Sequence, residues 1–264
     1  MDYDINSRFG RMALLAGDEM MRRLAAMRVI IFGLGGVGSW CAEALARAGV
    51  GHLTIVDSDD VALSNCNRQL PAADSTIGHS KTEVMRRRLL DINPECDVRA
   101  ICAAYTPENA AEFDLTAYDC VVDAIDSLRC KAHLLLAATD AGVRTVSSMG
   151  AALKVHAGQI AVAEFRKVQG CPLARALRTT FRRGGRMPSA PVMCVYSPER
   201  LHNRLQAPSP SEASDRWTAA KAAVNGTLSH TTAIFGMRLA GIILESVYDE
   251  SEASPATDAE DASR

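Results

Sequence analysis

The stretch RVIIFGLGGVG, residues 28–38, decides the fold of this chain. It runs from a short apolar segment directly into a glycine-rich turn, which is typical of a buried parallel strand followed by a phosphate-binding loop. The glycines of the turn are Gly33, Gly35, Gly36 and Gly38. Glycine lets the backbone approach a phosphate closely, and the N-terminus of the following helix supplies free N–H groups. The stretch therefore predicts an α/β domain that binds a nucleotide.

Strands and helices alternate outward from this turn. The pattern predicts strands at 28–32, 53–56, 97–102, 120–125 and 143–147, helices at 17–26, 38–48, 80–92 and 128–141, and a short helix that begins at 106. Repeated strand–helix–strand units with short turns favour a doubly wound, Rossmann-like, mostly parallel sheet covered on both faces. After residue 150, strands at 159–165 and 192–196 flank a basic helix at 172–183, and we expect them to form an antiparallel C-terminal extension of the sheet.

The length of 264 residues suits one large α/β domain and is too short for two full domains with linkers. We expect a single domain at 1–248, with a nucleotide-binding core at about 27–150 and a substrate-side region at about 151–248. Residues 249–264 are acidic and rich in small side chains, which predicts a disordered tail. Residues 208–214 predict a Pro/Ser-rich loop.

The sequence favours a cytoplasmic protein. The N-terminus lacks a basic segment followed by an apolar one, so we expect no signal peptide. The apolar stretch 228–247 contains His230, Arg238 and Glu245, which predicts a buried helix and not a membrane span. The net charge of −2 argues against a global field that would attract a polyanion.

Asp57 ends the second predicted strand, where a carboxylate can accept hydrogen bonds from ribose hydroxyls. A nicotinamide-dependent oxidoreductase would have the same turn and acid, so these two features leave the nucleotide open. The polar residues that follow favour ATP; they are Asn65, Arg68, Gln69 and Lys81. Departing pyrophosphate gathers negative charge, and fixed cations that meet this charge lower the barrier. Arg68 offers a planar fork for phosphate oxygens, and Lys81 offers a point charge.

Asp126 follows the buried strand at 120–125. Ligands of open α/β sheets bind at the carboxyl ends of the strands, and a carboxylate there can hold a Mg²⁺ ion that bridges phosphates. Taken alone, Asp126 has an alternative explanation as the N-cap of the next helix. The eight cysteines include no C-x-x-C pair, so we expect no four-thiolate zinc site.

Together these residues resemble the ubiquitin-activating-like, or ThiF/MoeB-like, adenylating superfamily. The matching pattern is Gly33-x-Gly35-Gly36-x-Gly38, Asp57, Asn65-x-x-Arg68-Gln69, Lys81 and Asp126. The resemblance implies an ATP-dependent enzyme that adenylates a carboxylate. It implies that the glycine turn and Asp57 bind ATP, that Asn65, Arg68 and Lys81 contact its phosphates, and that Asp126 binds Mg²⁺.

The resemblance also implies a homodimer in which an N-terminal arginine, Arg8 or Arg11, reaches the ATP of the partner subunit. Within the superfamily the chain is similar to the branch that dehydrates threonylcarbamoyladenosine in tRNA. The similar segments are RFG at 8–10, GGVGSW at 35–40, INPEC at 92–96, VDAIDS at 122–127, PLA at 172–174 and CVYS at 194–197. This similarity implies tRNA as the substrate and sulfur-transfer proteins as candidate partners. Members that activate sulfur carriers commonly hold zinc with two C-x-x-C pairs, so their absence here favours the dehydratase branch.

A basic stretch supports a nucleic-acid partner. Residues 165–198 contain no Asp or Glu but include Arg166, Lys167, Arg175, Arg178, Arg182, Arg183 and Arg186. On the predicted helix, Arg175, Arg178 and Arg182 are spaced three and four apart and share one face. We expect the five arginines from Arg175 to Arg186 to contact tRNA phosphates. The alternative is a solvated face paired with acids elsewhere.

Other functions stay open at this point. An enzyme that adenylates the C-terminus of a sulfur-carrier or ubiquitin-like protein would use the same ATP site, and Cys171 would then be a candidate thioester former. A nucleotide-sensing protein without turnover would bind ATP and release no AMP. A nicotinamide oxidoreductase would bind NADH more tightly than ATP.

Overall fold

The computed structural model describes residues 7–205 and 225–253. Its strands are β1 Arg28–Phe32, β2 His52–Val56, β3 Asp97–Ile101, β4 Cys120–Asp123, β5 Arg144–Ser148, β6 Ala161–Glu164 and β7 Val192–Tyr196. They form one sheet in the order β3-β2-β1-β4-β5-β7-β6. All neighbouring pairs are parallel except β6 and β7, which are antiparallel. The predicted doubly wound sheet with an antiparallel C-terminal extension is therefore confirmed.

Six α-helices accompany the sheet in the described residues. They are α1 Gly10–Ala26, α2 Gly38–Arg47, α3 Lys81–Ile92, α4 Leu128–Asp140, α5 Pro172–Arg183 and α6 Ser229–Glu252. Helix α6 packs closely on α2, since a Cβ on Gly236 would lie 2.4 Å from the carbonyl oxygen of Val37. The buried positions of α6 include Phe235, Leu239 and Ile243, four residues apart, so the predicted buried helix is confirmed.

Side chains of β1 alternate between two cores. Val29 and Ile31 belong to the core that α1, α2 and α6 cover, whereas Ile30 and Phe32 belong to the core beside α4. Phe32 contacts Tyr105 edge-on, with ring centroids 4.9 Å apart. Burial on both faces explains why this strand is apolar without a polar alternate position.

Some predicted elements differ from the structure. Helix α1 begins at Gly10 and not at 17, and it is broken at Gly17, whose φ of 71° is not helical. The helix expected from 106 is wrong: the amide of Asn109 accepts from the backbone N of Thr106 and donates to the carbonyl oxygen of Ala104, both at 2.8 Å, which holds a turn there.

The C-terminal predictions are only partly within the described residues. Helix α6 continues to Glu252, so residues 249–252 of the expected disordered tail are helical. Residues 254–264 and the Pro/Ser-rich loop at 208–214 lie outside the described residues. Among the helices described, none combines the length and the hydropathy needed to cross a membrane.

Candidate active site

The carboxyl ends of β1 and β4 border a cavity of about 880 Å³. β1 and β4 are neighbours, but the chain continues from β1 to β2 on one side and from β4 to β5 on the other. Ligands of open α/β sheets bind at such a switch point, because the loops diverge there and leave a crevice. The volume lies in the range of small-molecule sites.

Folding brings most of the predicted site residues to this cavity. Its lining includes Gly33, Gly35, Gly36, Asp57, Arg68, Gln69, Lys81 and Asp126. The lining also contains residues that the sequence did not single out, among them Tyr105, Ser148, Gly150 and Thr232. No local motif marks these residues, since each is of an ordinary type within its own segment.

Steric crowding explains two glycines of the turn. Gly33 has a φ of 92°, and a Cβ there would lie 2.7 Å from the carbonyl oxygen of Ala124. A Cβ on Gly38 would lie 1.8 Å from the carbonyl oxygen of Gly33. The nearest atom to a Cβ on Gly35 is Nε2 of Gln69, at 3.9 Å. Gly38 therefore closes the turn, and it is not among the described residues that line the cavity, so its contact with the nucleotide stays a prediction. Gly35 leaves open surface there.

Asp57 joins the end of β2 to the glycine turn. Its Oδ2 accepts a hydrogen bond from the backbone N of Leu34 at 2.6 Å, and its Oδ1 accepts one from Asp59 N at 2.8 Å. Carboxylate oxygens have further lone pairs, so this side chain can also accept from ribose hydroxyls.

Two cations are held beside the cavity by protein acceptors. Lys81 is buried, and its Nζ lies 2.8 Å from Oδ2 of Asp59. Arg68 is half-buried, and its Nη1 donates to the carbonyl oxygen of Ser64 at 2.9 Å and to Oδ1 of Asn67 at 2.8 Å. Cations placed in advance stabilise negative charge that develops on phosphate during bond cleavage.

Asn65 and Gln69 differ in their relation to the cavity. Oδ1 of Asn65 accepts from the backbone N of Ala62 at 3.0 Å and so caps the 3₁₀ turn Leu63–Asn65. Asn65 supports the segment that carries Arg68, and it is not among the described residues that line the cavity, so its phosphate contact stays a prediction. Gln69 lines the cavity and is 9 % exposed, and its Oε1 has no hydrogen-bond partner within the part of the chain described. A buried acceptor without a partner is costly, which favours a ligand donor there.

Asp126 is exposed on the loop between β4 and α4. The N-cap of α4 is Ser127, so the alternative interpretation of Asp126 as that cap is wrong. A carboxylate at this edge fits Mg²⁺, which is bound in nucleotide sites by one or two carboxylates together with phosphates and water.

The sequence analysis missed the buried neighbours of this loop. Asp123, the last residue of β4, forms a buried ion pair with Lys131 of α4 at 2.6 Å. The only signal in the sequence was a lysine in an otherwise largely apolar helix, eight positions after an aspartate that ends a strand.

The N-terminal arginines are not among the described residues that line the cavity of their own chain. Arg8 donates to the carbonyl oxygen of Ile92 at the end of α3, and Arg11 is exposed on α1. A contact of either arginine with ATP in a partner subunit stays a prediction.

The basic stretch divides into exposed and internally bonded arginines. Nη1 of Arg178 donates to the carbonyl oxygens of Phe165 and Val168, at 3.2 and 2.9 Å, so part of its guanidinium group is engaged within the protein and its contact with nucleic acid stays a prediction. Arg186 pairs with Asp140, a counter-charge from α4 that the local pattern did not reveal. Of the five arginines from Arg175 to Arg186, the exposed ones without such an observed ion pair are Arg175, Arg182 and Arg183.

Most cysteines are core residues, as expected. All eight are free thiols, and five of them are buried. Burial raises the pKa of Cys96 to about 11 and that of Cys120 to about 12, which makes these thiols poor nucleophiles. Cys171 is 2 % exposed and is not among the described residues that line the cavity, which argues against the thioester role.

Comparison with known proteins shows the family of the chain. The chain matches the ThiF family over residues 9–259. It is 42% identical to tRNA threonylcarbamoyladenosine dehydratase of Bacillus subtilis (strain 168) over 177 residues. The aligned region covers 67% of this chain and 70% of that protein. Identity to the protein of the same name from Escherichia coli (strain K12) is 39% over 199 residues, covering 74% of each.

The fold is also similar to a solved structure. The crystal structure of E. coli tRNA N6-threonylcarbamoyladenosine dehydratase in complex with ATP matches with a TM-score of 0.80 and 33% identity, over 93% of this chain and 95% of that chain. The family match covers nearly the whole chain, and the shared fold includes the sheet edge where the predicted ATP residues lie. The chain therefore belongs to the ThiF family.

Proposed function

We propose that this protein is an ATP-dependent tRNA threonylcarbamoyladenosine dehydratase. The observation that carries the proposal is the convergence of the glycine turn, Arg68, Lys81 and Asp126 on one cavity. These residue types around one cavity suit cleavage of ATP and not hydride transfer. The similarity to dehydratases of this name over about two thirds of the chain or more supports the choice of substrate.

The proposed nucleotide pose follows from the chemistry of the lining. The triphosphate lies against Gly33–Gly38, the ribose lies beside Asp57, and Gln69 offers its unpartnered oxygen to a ligand donor. Arg68 and Lys81 meet the charge on the leaving pyrophosphate. Asp126 would hold Mg²⁺, and that ion would supply additional neutralisation of phosphate charge when bound.

The proposed reaction has two steps. The carboxylate of the threonylcarbamoyl group on the adenosine beside the anticodon attacks the α-phosphorus of ATP, and pyrophosphate leaves. The carbamoyl oxygen of the same group then attacks the activated acyl carbon, AMP leaves with the former carboxylate oxygen, and a nitrogen of the carbamoyl group releases its proton to solvent. The base has lost one water in total, while ATP has become AMP and pyrophosphate. No protein nucleophile is required, which is compatible with the burial of Cys171.

The proposed tRNA surface is the exposed face of α5, through Arg175, Arg182 and Arg183, whose charges can neutralise phosphates. The proposed homodimer uses α1, because Leu14 and Leu15 are 71% and 79% exposed on the helix that carries Arg11. Sulfur-transfer partners and a cytoplasmic location stay predictions from the sequence.

A single domain at 1–248 is also proposed. The pairing of β5 with β7 supports it, since one sheet joins the nucleotide-binding core to the substrate-side region. The family match to residue 259 is compatible with this division.

The decisive experiment is mass spectrometry of tRNA nucleosides from a strain that lacks this protein, under mild conditions that preserve the labile cyclic nucleoside. We expect the cyclic form to disappear and the uncyclised threonylcarbamoyladenosine to accumulate. An unchanged amount of cyclic nucleoside would remove the assignment. If ATP–pyrophosphate exchange by the purified protein instead requires a small protein that ends in Gly-Gly, the carrier-adenylating alternative is correct.

A further inference from the structure

A fully buried ion pair lies beneath the cavity. Asp123 and Lys131 are both 0% exposed, and Nζ of Lys131 lies 2.6 Å from Oδ2 of Asp123. The same Nζ donates to the carbonyl oxygen of Ser148 at 2.9 Å and lies 3.4 Å from Oγ of Ser147. Ser147 Oγ also donates to Oδ2 of Asp123 at 2.6 Å. One ammonium group therefore finds acceptors on the ends of two neighbouring strands, β4 and β5.

Both strand ends continue directly into walls of the cavity. Oδ1 of Asp123 accepts from the backbone N of Ile125 at 3.1 Å, which fixes the start of the loop that carries Asp126. Residues 148–152, from the last residue of β5 onward, also line the cavity. The side chain of Lys131 therefore links the start of the loop that carries Asp126 to the 148–152 wall, in addition to the backbone pairing of β4 with β5.

Stability alone does not account for charge at this place. Removing a carboxylate and an ammonium from water has a large cost, and replacement of a buried ion pair by apolar side chains is often neutral or stabilising. The two positions before Asp123 in the same strand, Val121 and Val122, are apolar and fully buried. Fixed hydrogen-bond directions are what the ion pair adds to such a core, and a fully satisfied buried network rigidifies its surroundings.

We propose that Lys131 is a positioning residue, which acts through Asp123 and Ser148. It holds Asp126 and the 148–152 wall at a fixed separation. At this separation the carboxylate of the acceptor substrate meets ATP. This inference rests on the proposed function for the identity of the acceptor. The claim that the ion pair orders both cavity walls does not depend on which acceptor the enzyme uses.

The test uses a paired variant, Asp123→Asn with Lys131→Met, which removes both charges and approximately keeps both side-chain shapes. Single variants would leave one buried charge without its partner, which is strongly destabilising. Ser147→Ala is a second, milder variant that removes one hydrogen bond to Asp123 and keeps the ion pair.

Glu43→Gln is the matched control. Glu43 is a buried carboxylate that pairs with Arg88 at 2.5 Å and Arg47 at 2.8 Å, and it is not among the described residues that line the cavity. Its substitution disturbs a buried charge without touching either cavity wall.

The first measurement is hydrogen–deuterium exchange of the ligand-free full chain at residues 124–127 and 148–152. We expect about tenfold faster exchange in both segments of the paired variant, about threefold in Ser147→Ala and no change in the control. Unchanged exchange in the paired variant overturns the inference. If the paired variant does not fold, unchanged exchange in Ser147→Ala overturns it instead.

The second measurement is AMP release with threonylcarbamoylated tRNA. We expect kcat to fall about 30-fold in the paired variant and about fivefold in Ser147→Ala, with KM for ATP within about twofold of the wild type. An unchanged kcat, or a raised KM for ATP with kcat retained, overturns the positioning role. Absence of AMP release by the wild type would refute the proposed function instead, and the exchange measurement would still decide whether the pair orders the two walls.

Discussion

Nζ of Lys81 lies 2.8 Å from Oδ2 of Asp59, and the two partners differ in exposure: the lysine side chain is 5% exposed and the aspartate side chain 66%. The cation is therefore confined at the start of α3, whereas its carboxylate partner has solvent around it. An incoming phosphate can replace the aspartate without moving the lysine. This arrangement keeps positive charge at the cavity before and after ATP binds.

Lys81→Met should leave the fold intact and remove activity. Methionine fills the buried space of the lysine stem, so we expect a thermal midpoint within a few degrees of the wild type, while AMP production falls by about 100-fold or more. Activity with modified tRNA and thermal denaturation measure the two effects. Asp59→Asn is the control, since it keeps the lysine and should reduce activity far less. Retained turnover in Lys81→Met would refute the phosphate role.

Two glycines of the turn should respond differently to alanine. A Cβ on Gly38 would lie 1.8 Å from a backbone oxygen, so Gly38→Ala should destabilise the protein by about 3 kcal/mol or more. Gly35→Ala meets no atom closer than 3.9 Å and should fold normally, but we expect its ATP affinity to fall about tenfold, because the methyl group covers the phosphate surface. Chemical denaturation and ATP titration separate the two outcomes; equal stability of both variants would contradict the steric explanation.

The exposed face of α5 should affect tRNA and not ATP. Arg175→Gln combined with Arg182→Gln removes two exposed charges, so we expect KM for tRNA to rise about tenfold at physiological salt, with a shallower salt dependence. KM for ATP should stay the same. Arg87→Gln, which removes an exposed arginine on α3 that pairs with Glu83, is the control. An equal effect of the control would show that only net charge matters.

Glu199 should contribute to stability in a pH-dependent way. The backbone N–H of Val155, at 2.8 Å, is the main cause that lowers the pKa of Glu199 to about 2, and His156 adds further hydrogen bonds. Since the folded-state pKa lies below the ordinary value of 4.5, the ionised carboxylate stabilises the fold above that pH, and this contribution is lost as the pH falls toward 2.

We therefore expect Glu199→Gln to lower the free energy of unfolding near neutral pH and to approach the wild type in acid. Urea denaturation at several pH values between about 3 and 7 measures this difference. Glu112→Gln, at an exposed position, is the control and should differ little from the wild type throughout. A difference between Glu199→Gln and the wild type that does not change with pH would contradict the hydrogen-bond explanation.

Elements with strong local signals were predictable. The strand at 28–32, the helix at 172–183 and the strand at 192–196 have the predicted bounds, because apolar runs and Pro or Gly at their ends act within a few residues. The prediction of a helix from 106 was wrong. The cause is also a local contact, but the sequence pattern indicates it only weakly. There, the Asn109 amide competes with helical hydrogen bonds, and nothing in the pattern shows which of the two prevails.

The alternating α/β fold, the glycine turn and the residue types that suit a triphosphate were all predictable, because backbone freedom and side-chain charge are properties of single residues at short spacings. Which polar groups face the cavity could be learned only from the folded chain. Asn65 caps a turn, Arg178 bonds backbone carbonyls and Lys131 joins two strand ends from within the core. The partners of Arg178 and Lys131 lie in other segments of the chain, so spacing along the chain does not reveal them. The partner of Asn65 is three residues away, and there the sequence pattern does not show that the side chain bonds to its own turn.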